Sequence, residues 1–87
     1  MSEYRVTFTR SARKELARLE KRTVTRIFTT IESLTHQPRP RGSRKLEGAD
    51  DLWRVRVGDY RIIYRIIDDE LIVEVIGVRH RQDAYRP

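Results

Sequence analysis

The sequence predicts a small α+β domain in which a helical hairpin packs on a mostly antiparallel four-stranded sheet, with elements in the order β-α-α-β-β-β. Two stretches of the N-terminal half carry apolar residues at helical spacing. Three stretches of the C-terminal half alternate apolar and polar residues with a period of two, and short connections that contain Gly or Asp join them. At 87 residues, the chain is expected to form one domain over residues 1–87.

The N-terminal half is predicted to contain one strand and two helices. Residues 4–8 alternate as a strand does, and Thr9 or Ser11 can then cap a first helix. The apolar residues of that helix are Ala12, Leu16 and Leu19. Residues 21–23 interrupt the pattern, and a second helix follows that ends before Pro38; its apolar stripe comprises Val24, Ile27, Phe28, Ile31 and Leu34.

Three consecutive strands are predicted in the C-terminal half, at Leu52–Val57, Tyr60–Ile67 and residues 71–78. Two-residue turns at Gly58-Asp59 and Asp68-Asp69 would connect them. Residues that face each other across a hairpin project from the same face of the sheet. One face is then apolar, with Trp53, Val55, Val57, Tyr60, Ile62, Tyr64, Ile66, Leu71, Val73 and Val75. The opposite face carries Arg54, Arg56, Arg61 and Arg65.

The basic residues indicate an anionic partner. The chain has 19 Lys plus Arg against 13 Asp plus Glu, and 16 of the 19 cations are Arg. Arg56 and Arg61 would lie directly opposite each other, which is destabilising unless an anion offsets the repulsion. Arginine also grips phosphate in a bidentate manner. A solvated basic face is the alternative, but the clustering on one hairpin, with Arg79 and Arg81 after it, favours a phosphate site.

Several classes of site are disfavoured by composition. Without Cys there is no disulfide, thiol nucleophile or thiolate zinc site. The two His, His36 and His80, are far apart, and the acidic pairs at residues 50–51 and 68–69 are typical of turns, so we expect no metal or other cofactor. No secretory signal or membrane span is apparent, which predicts a cytoplasmic protein without a membrane partner.

Three segments read KLEG at residues 45–48, LWRVRVGDYRIIY at 52–64 and VRHRQDAYR at 78–86. Together with the element order, they resemble the RelE/ParE superfamily of type II toxins, and the RelE branch most closely. The resemblance implies the RelE-like microbial ribonuclease fold and a ribosome-dependent endoribonuclease that cuts mRNA in the decoding site without a metal. In this chemistry the ribose 2′-hydroxyl attacks the adjacent phosphate and leaves a 2′,3′-cyclic phosphate and a 5′-hydroxyl.

The resemblance also implies roles for individual residues. The two basic positions on the first hairpin strand correspond to Arg54 and Arg56, and the phosphate clamp corresponds to Arg61. Arg79 matches the proposed acid for the leaving group, and Tyr85 matches the tyrosine that stacks on a base. Further contacts to RNA phosphate are expected from Arg44, Lys45, Arg65 and Arg81.

One departure from the family pattern concerns proton transfer. The best-known pattern has lysines where this chain has Arg54 and Arg56, and arginine is a poor general base. Either these two residues act only electrostatically, or His80 transfers protons. We expect His80 to be the acid–base residue, because histidine exchanges protons near neutral pH, while Arg61 and Arg79 hold the phosphate and Tyr85 orients the base.

Two other functions stay open at this level. ParE-like relatives inhibit DNA gyrase without being nucleases, and an RNA-binding module without catalysis would show the same basic face. In each toxin case the resemblance implies a hetero-oligomer with a cognate antitoxin, which we expect to be acidic and to wrap the toxin. That antitoxin or the C-terminal tail is expected to cover the outward-facing Ile63, Ile72 and Ile76; the ribosome and mRNA are the other expected partners.

Overall fold

A computed structural model describes residues 3–48 and 51–81. Its elements are β1 (Arg5–Phe8), α1 (Arg10–Ala17), α2 (Lys21–His36), β2 (Arg44–Lys45), β3 (Leu52–Val57), β4 (Tyr60–Ile67), a 3₁₀ turn (Asp68–Glu70) and β5 (Ile72–His80). The strands form a single sheet in the order β1-β5-β4-β3-β2, in which only the β1–β5 pair is parallel. The predicted α+β fold with two helices on a mostly antiparallel sheet is confirmed.

The sheet has five strands rather than the four predicted, because β2 adds a short edge strand beside β3. Arg44 lies opposite Arg54 and Lys45 lies opposite Trp53. A strand of two residues is too short to show any period-two alternation, so pattern alone could not predict it.

Of the two turns predicted between strands, the one between β3 and β4 is confirmed and the one between β4 and β5 is wrong. The β3–β4 hairpin has the predicted register in all six pairs, from Val57 opposite Tyr60 to Leu52 opposite Arg65. The predicted Asp68-Asp69 turn is wrong: the chain forms a 3₁₀ turn, and Leu71 then takes a left-handed conformation with φ of 54°. Leu71 therefore belongs to the connection, and β5 begins at Ile72.

The longer connection changes the register of β5 by two residues. A two-residue turn at residues 68–69 would place Glu74 opposite Ile63, whereas Glu74 lies opposite Arg65. A shift by an even number of residues leaves each side chain on the same face. Val73 and Val75 are consequently still on the core face, where both are fully buried.

A β-bulge in β5 then reverses the alternation. Val75 lies opposite Tyr64, but the next pair joins Ile63 to Gly77, so Ile76 is the extra residue. Beyond this point Arg79 lies opposite Arg61 on the outer face. Strict alternation without the bulge would have placed Arg79 opposite Tyr60, on the core face. Bulges of this kind are frequent beside functional sites, where they redirect side chains.

The helix boundaries depend on backbone capping. The Thr9 hydroxyl caps α1 by accepting the Ala12 N–H at 3.1 Å, which confirms one of the two predicted caps. The predicted interruption at residues 21–23 is wrong: these residues form the first turn of α2, and the chain turns earlier, with Glu20 extended. Polar residues suit a first turn because its backbone N–H groups have no partner within the helix.

The core lies between the two helices and the inner face of the sheet. Both helices contribute buried residues to one cluster with the inner-face residues of β3, β4 and β5: Ala12, Leu16, Ile27, Ile31, Leu34, Val55, Ile62, Tyr64, Ile66, Val73, Val75 and Val78. The assignment of Trp53, Tyr60 and Tyr64 to this face is confirmed, with Tyr64 fully buried. No helix in the described part of the chain is both long and apolar enough to cross a membrane.

A polar cluster ties the 3₁₀ turn to the rest of the domain. Arg39 Nη2 lies 2.8 Å from Asp68 Oδ2, and the Tyr4 hydroxyl donates to Asp68 Oδ1 at 2.6 Å. The hydrogen bond from Arg39, followed by that from Tyr4, lowers the pKa of Asp68 below its ordinary value. The Arg39 guanidinium also lies 5.3 Å from the centre of the Trp53 ring, a cation–π contact.

We expect Asp68 to make stability depend on pH in acid. A carboxyl with a lowered folded-state pKa stabilises the fold above its unfolded pKa, about 3.9, and this contribution disappears as pH falls through the folded pKa. Urea unfolding from about pH 7 down to about pH 2 should therefore show a steeper loss of stability for the native chain than for Asp68→Asn. Asp69→Asn, which removes the same charge one residue along, should keep the native slope. An equal flattening in both variants would contradict this assignment.

Candidate functional site

Three neighbouring strands each place one arginine in a row on the outer face of the sheet. The register puts Arg56 of β3 opposite Arg61 of β4, and Arg61 opposite Arg79 of β5. We call these three residues the arginine rung. Adjacent strands are about 4.8 Å apart, so three positive side chains leave the backbone at closely spaced points. Such repulsion destabilises a free sheet, whereas a bound phosphate would offset it.

A second row of arginines lies beside the rung. Arg54, two residues from Arg56 along β3, lies opposite Arg44 on β2 and opposite Ile63 on β4. Because residues that face each other share a face, Arg44 and Arg54 project from the same side as the rung. Lys45, by contrast, pairs with Trp53 and projects from the core side. The two rows therefore bring together five arginines of the predicted site and leave out Lys45.

Two open depressions flank Arg56. One has a volume of about 250 Å³ and is lined by Arg56, Gly58, Asp59, Tyr60, Arg61 and Arg81. The other has a volume of about 420 Å³ and is lined by Arg41, Gly42, Arg44, Arg54, Val55 and Arg56. Both helices pack on the opposite face of the sheet, so no described helix covers these depressions. A single-stranded polyanion could pass over Arg56 from one to the other.

Two residues outside the strands add charge to these depressions. Arg81 is held beside the first because its backbone N–H donates to the Asp59 carbonyl at 2.7 Å. Arg41 of the second was not predicted: it lies in the loop before β2, where alternation assigns no face. Only the high arginine content of that loop could have indicated it.

Arg65 is engaged by carboxylates rather than open to a ligand. Its Nε lies 2.9 Å from Asp51 Oδ2, and its Nη1 donates to Glu74 Oε1 at 3.1 Å. The residue does lie on the predicted outer face, opposite Leu52. Two nearby negative charges offset its own charge, so we expect Arg65 to bind RNA phosphate more weakly than the rung does. This contact stays a prediction.

Arg79 is held by a residue that sequence patterns did not single out. Its Nε donates to Glu15 Oε2 of α1 at 2.7 Å, and the Val78 N–H donates to the other carboxylate oxygen at 2.9 Å. The Arg79 side chain remains 46% exposed. Its guanidinium is thus anchored at one nitrogen while much of the group still faces solvent.

The structure separates His80 from the arginine rung. His80 lies opposite Tyr60, whose ring it contacts edge to face at a centroid distance of 5.2 Å. It therefore shares the Tyr60 side of the sheet, while Arg61 and Arg79 project from the other side. Tyr60 also lines the depression with Arg61 and Arg81, which places His80 next to the rim of that depression. Tyr85 lies outside the described residues, as does Asp50.

Metal ligands are not grouped in this region. Across residues 3–48 and 51–81, no set of three or more His, Cys, Asp or Glu side chains is placed to hold a metal ion. His36, at the end of α2, instead lies 3.2 Å from Glu3 through its Nδ1. The chemistry of the outer face is that of guanidinium groups.

Known proteins resemble this chain over almost its whole length. A family model described as the ParE toxin of type II toxin-antitoxin system, parDE, matches residues 6–85. The toxin RelG of Mycobacterium tuberculosis is 34% identical over 87 residues, covering 95% of this chain and 97% of RelG. A putative RelE-like toxin protein of Escherichia coli is 31% identical, covering 94% and 90%.

Solved structures with a similar fold also come from RelE-type toxins. The archaeal RelE–RelB complex from Pyrococcus horikoshii matches with a TM-score of 0.81 and 32% identity, covering 91% of this chain and 96% of that one. The toxin–antitoxin complex RelBE2 from M. tuberculosis matches with a TM-score of 0.81 and 31% identity, covering 93% and 94%. With the shared fold and the matched family model, the chain belongs to the RelE/ParE superfamily of type II toxin–antitoxin toxins and is RelE-like.

Proposed function

We propose that this chain, folded as one domain, is a toxin that cleaves mRNA on the ribosome in the cytoplasm without a metal ion. The observation that carries the proposal is the arginine rung, flanked by Arg44 and Arg54 on a sheet face that no described helix covers. A structural role explains this row poorly, because adjacent like charges cost stability. An RNA phosphate between them accounts for both the clustering and the preference for arginine.

The proposed reaction is a transesterification within the RNA backbone. The ribose 2′-oxygen forms a bond to phosphorus as it loses its proton, and the bond from phosphorus to the 5′-oxygen breaks as that oxygen gains a proton. Negative charge builds up on the phosphate oxygens in between. Arg61, flanked by Arg56 and Arg79, provides preorganised donors for that charge. Stacking of a base on Tyr85 would orient the attacking ribose.

His80 is the proposed proton-transfer group, acting from the rim beside Tyr60. General acid–base catalysis typically contributes about 10² to 10⁴ in rate. We therefore expect His80→Ala to slow mRNA cleavage on ribosomes by a factor in that range, with unchanged affinity for ribosomes. The measurement is the rate of appearance of cut mRNA under single-turnover conditions. Full cleavage by His80→Ala would contradict this assignment, because proton transfer would then belong to another group.

A cognate antitoxin is the proposed partner that keeps the toxin inactive in a complex. The matched structures include RelE–RelB complexes from P. horikoshii and E. coli. Here the outer face combines the basic rung with half-buried Ile63, Ile72 and Ile76, which suits an acidic segment with apolar anchors. Co-expression with a cognate RelB-like antitoxin is expected to yield a hetero-oligomer that does not cleave mRNA.

Gyrase inhibition is the second candidate, because the matched family model carries the ParE description. One experiment separates the candidates: the purified toxin is added to a translation extract and, in parallel, to a gyrase supercoiling assay. We expect cut mRNA in the extract and unchanged supercoiling. Inhibited supercoiling with intact mRNA would replace the nuclease with a gyrase inhibitor, and neither effect would indicate an RNA-binding module without catalysis.

A further inference from the structure

We propose that Glu15 is a positioning residue that fixes Arg79 in the arginine rung, an inference that rests on the proposed nuclease function. Glu15 belongs to α1, which packs against β5. Its carboxylate binds the Val78 N–H and Arg79 Nε, so we expect it to act on RNA through Arg79.

On the edge of β5 that faces away from β4, no strand among residues 3–48 and 51–81 pairs with the segment near Arg79. β1 pairs with β5 only from Ile72 to Val75, which leaves the β5 edge from Ile76 onward beside α1. Side chains at the start of α1 and within it form hydrogen bonds to this part of the β5 backbone instead. The Thr9 hydroxyl donates to the Ile76 carbonyl at 2.9 Å, and Glu15 Oε1 accepts the Val78 N–H at 2.9 Å. The bulge that turns Arg79 to the outer face is therefore held at Ile76 and at Val78 by side chains along one edge of β5.

The same carboxylate then reaches the arginine itself. Glu15 Oε2 accepts a hydrogen bond from Arg79 Nε at 2.7 Å, a short, charge-assisted contact. Because Glu15 binds the backbone of Val78 and the side chain of Arg79 at once, it fixes the guanidinium relative to the strand. Anchoring at Nε leaves the two terminal nitrogens of the guanidinium for a phosphate.

Gly77 makes room for this bridge. A Cβ at residue 77 would lie 3.1 Å from Glu15 Oε1 and 3.4 Å from both Nε and Nη2 of Arg79. The first distance is tighter than a carboxylate oxygen normally accepts, so a methyl group here would displace Glu15. Gly77 does not have a left-handed backbone conformation. The need for glycine at this position therefore comes from the space that the Glu15–Arg79 bridge occupies.

Simple electrostatics and positioning predict opposite results for Glu15→Gln. If Glu15 were only a negative charge near a basic site, its removal would strengthen RNA binding and leave or raise the rate of cleavage. If Glu15 positions Arg79, the rate constant falls although the affinity for RNA is kept or increased. Misplacement of a group in the transition state by about 1 Å can cost on the order of 10²-fold in rate.

The test compares Glu15→Gln, Arg79→Ala and the double variant, with Glu32→Gln as a matched control on the exposed side of α2. We expect Glu15→Gln to slow single-turnover mRNA cleavage on ribosomes on the order of 10- to 100-fold. The affinity for a single-stranded RNA oligonucleotide should not fall, and Glu32→Gln should behave as the native chain does. The Glu15→Gln effect should vanish when Arg79 is already alanine.

Two results would overturn the inference. One is an unchanged cleavage rate in Glu15→Gln; the other is an equal loss of rate in the Arg79→Ala background, which would show that Glu15 acts through the general fold. Nitrogen NMR of the Arg79 Nε–H group provides a readout that is independent of activity: its slow exchange with water should be lost in Glu15→Gln. If the native chain did not cleave mRNA, the proposed function would fail, and this NMR signal would still decide whether Glu15 holds Arg79.

Discussion

Arg61→Ala is expected to reduce mRNA cleavage on ribosomes by about 10²- to 10³-fold, the loss typical of removing one preorganised donor to a developing negative charge. Arg61 is the middle member of the arginine rung and lies opposite both Arg56 and Arg79. Its side chain projects from the face without helices, so the free energy of unfolding in urea should change little, or rise as repulsion is relieved. The rate of cleavage in a purified translation reaction is the measurement.

The same face provides a matched control for Arg61→Ala. Arg5 of β1 is exposed and lies opposite Ile72, at the other end of the sheet. Arg5→Ala removes the same charge without touching the rung and should cleave at the native rate. A comparable loss in both variants would mean that total positive charge, and not the rung, determines activity.

Tyr64→Ala is expected to have the largest effect on stability, a loss of about 3–5 kcal/mol, as for other large aromatic side chains removed from a core. Tyr64 is fully buried at the centre of the inner face, and its hydroxyl donates to the Pro38 carbonyl at 2.7 Å. Burial also raises the pKa of the hydroxyl, which favours the protonated form that donates. Urea unfolding near neutral pH measures the effect.

Tyr64→Phe separates the ring from its hydroxyl. The phenylalanine ring keeps the packing but leaves the buried Pro38 carbonyl without this donor, a loss of about 1–2 kcal/mol. An equal loss in both Tyr64 variants would show that the hydrogen bond to the loop, and not the ring, carries the stability.

The β3–β4 hairpin shows where prediction from sequence succeeds. The turn at residues 58–59 has the two residues that a tight hairpin needs, and apolar alternation continues through both strands. These two features together specify the register, and Arg56 opposite Arg61 follows from it. The candidate site on these strands was therefore predictable from the residues alone.

β5 shows why the rest was not predictable. The longer turn shifts the register of β5 by two residues. Because the same residues still face the core, the alternation of apolar residues in the sequence does not reveal this shift. The bulge at Ile76 then changes the face of every later side chain, and it places Arg79 with Arg61 but His80 with Tyr60. The bulge is held by the side chains of Thr9, the N-cap residue of α1, and of Glu15 within α1, and both are distant from β5 in sequence. Alternation within one strand carries no information about such contacts.

The chemical identity of the cleaved RNA ends provides the most direct test of a ribosome-dependent nuclease built on the arginine rung. The measurement incubates the purified chain with mRNA in a defined translation reaction, with and without ribosomes, and determines the ends of the fragments. We expect fragments only with ribosomes, ending in a 2′,3′-cyclic phosphate on one side and a 5′-hydroxyl on the other. Intact mRNA, or fragments that carry 5′-phosphates, would contradict the proposed function.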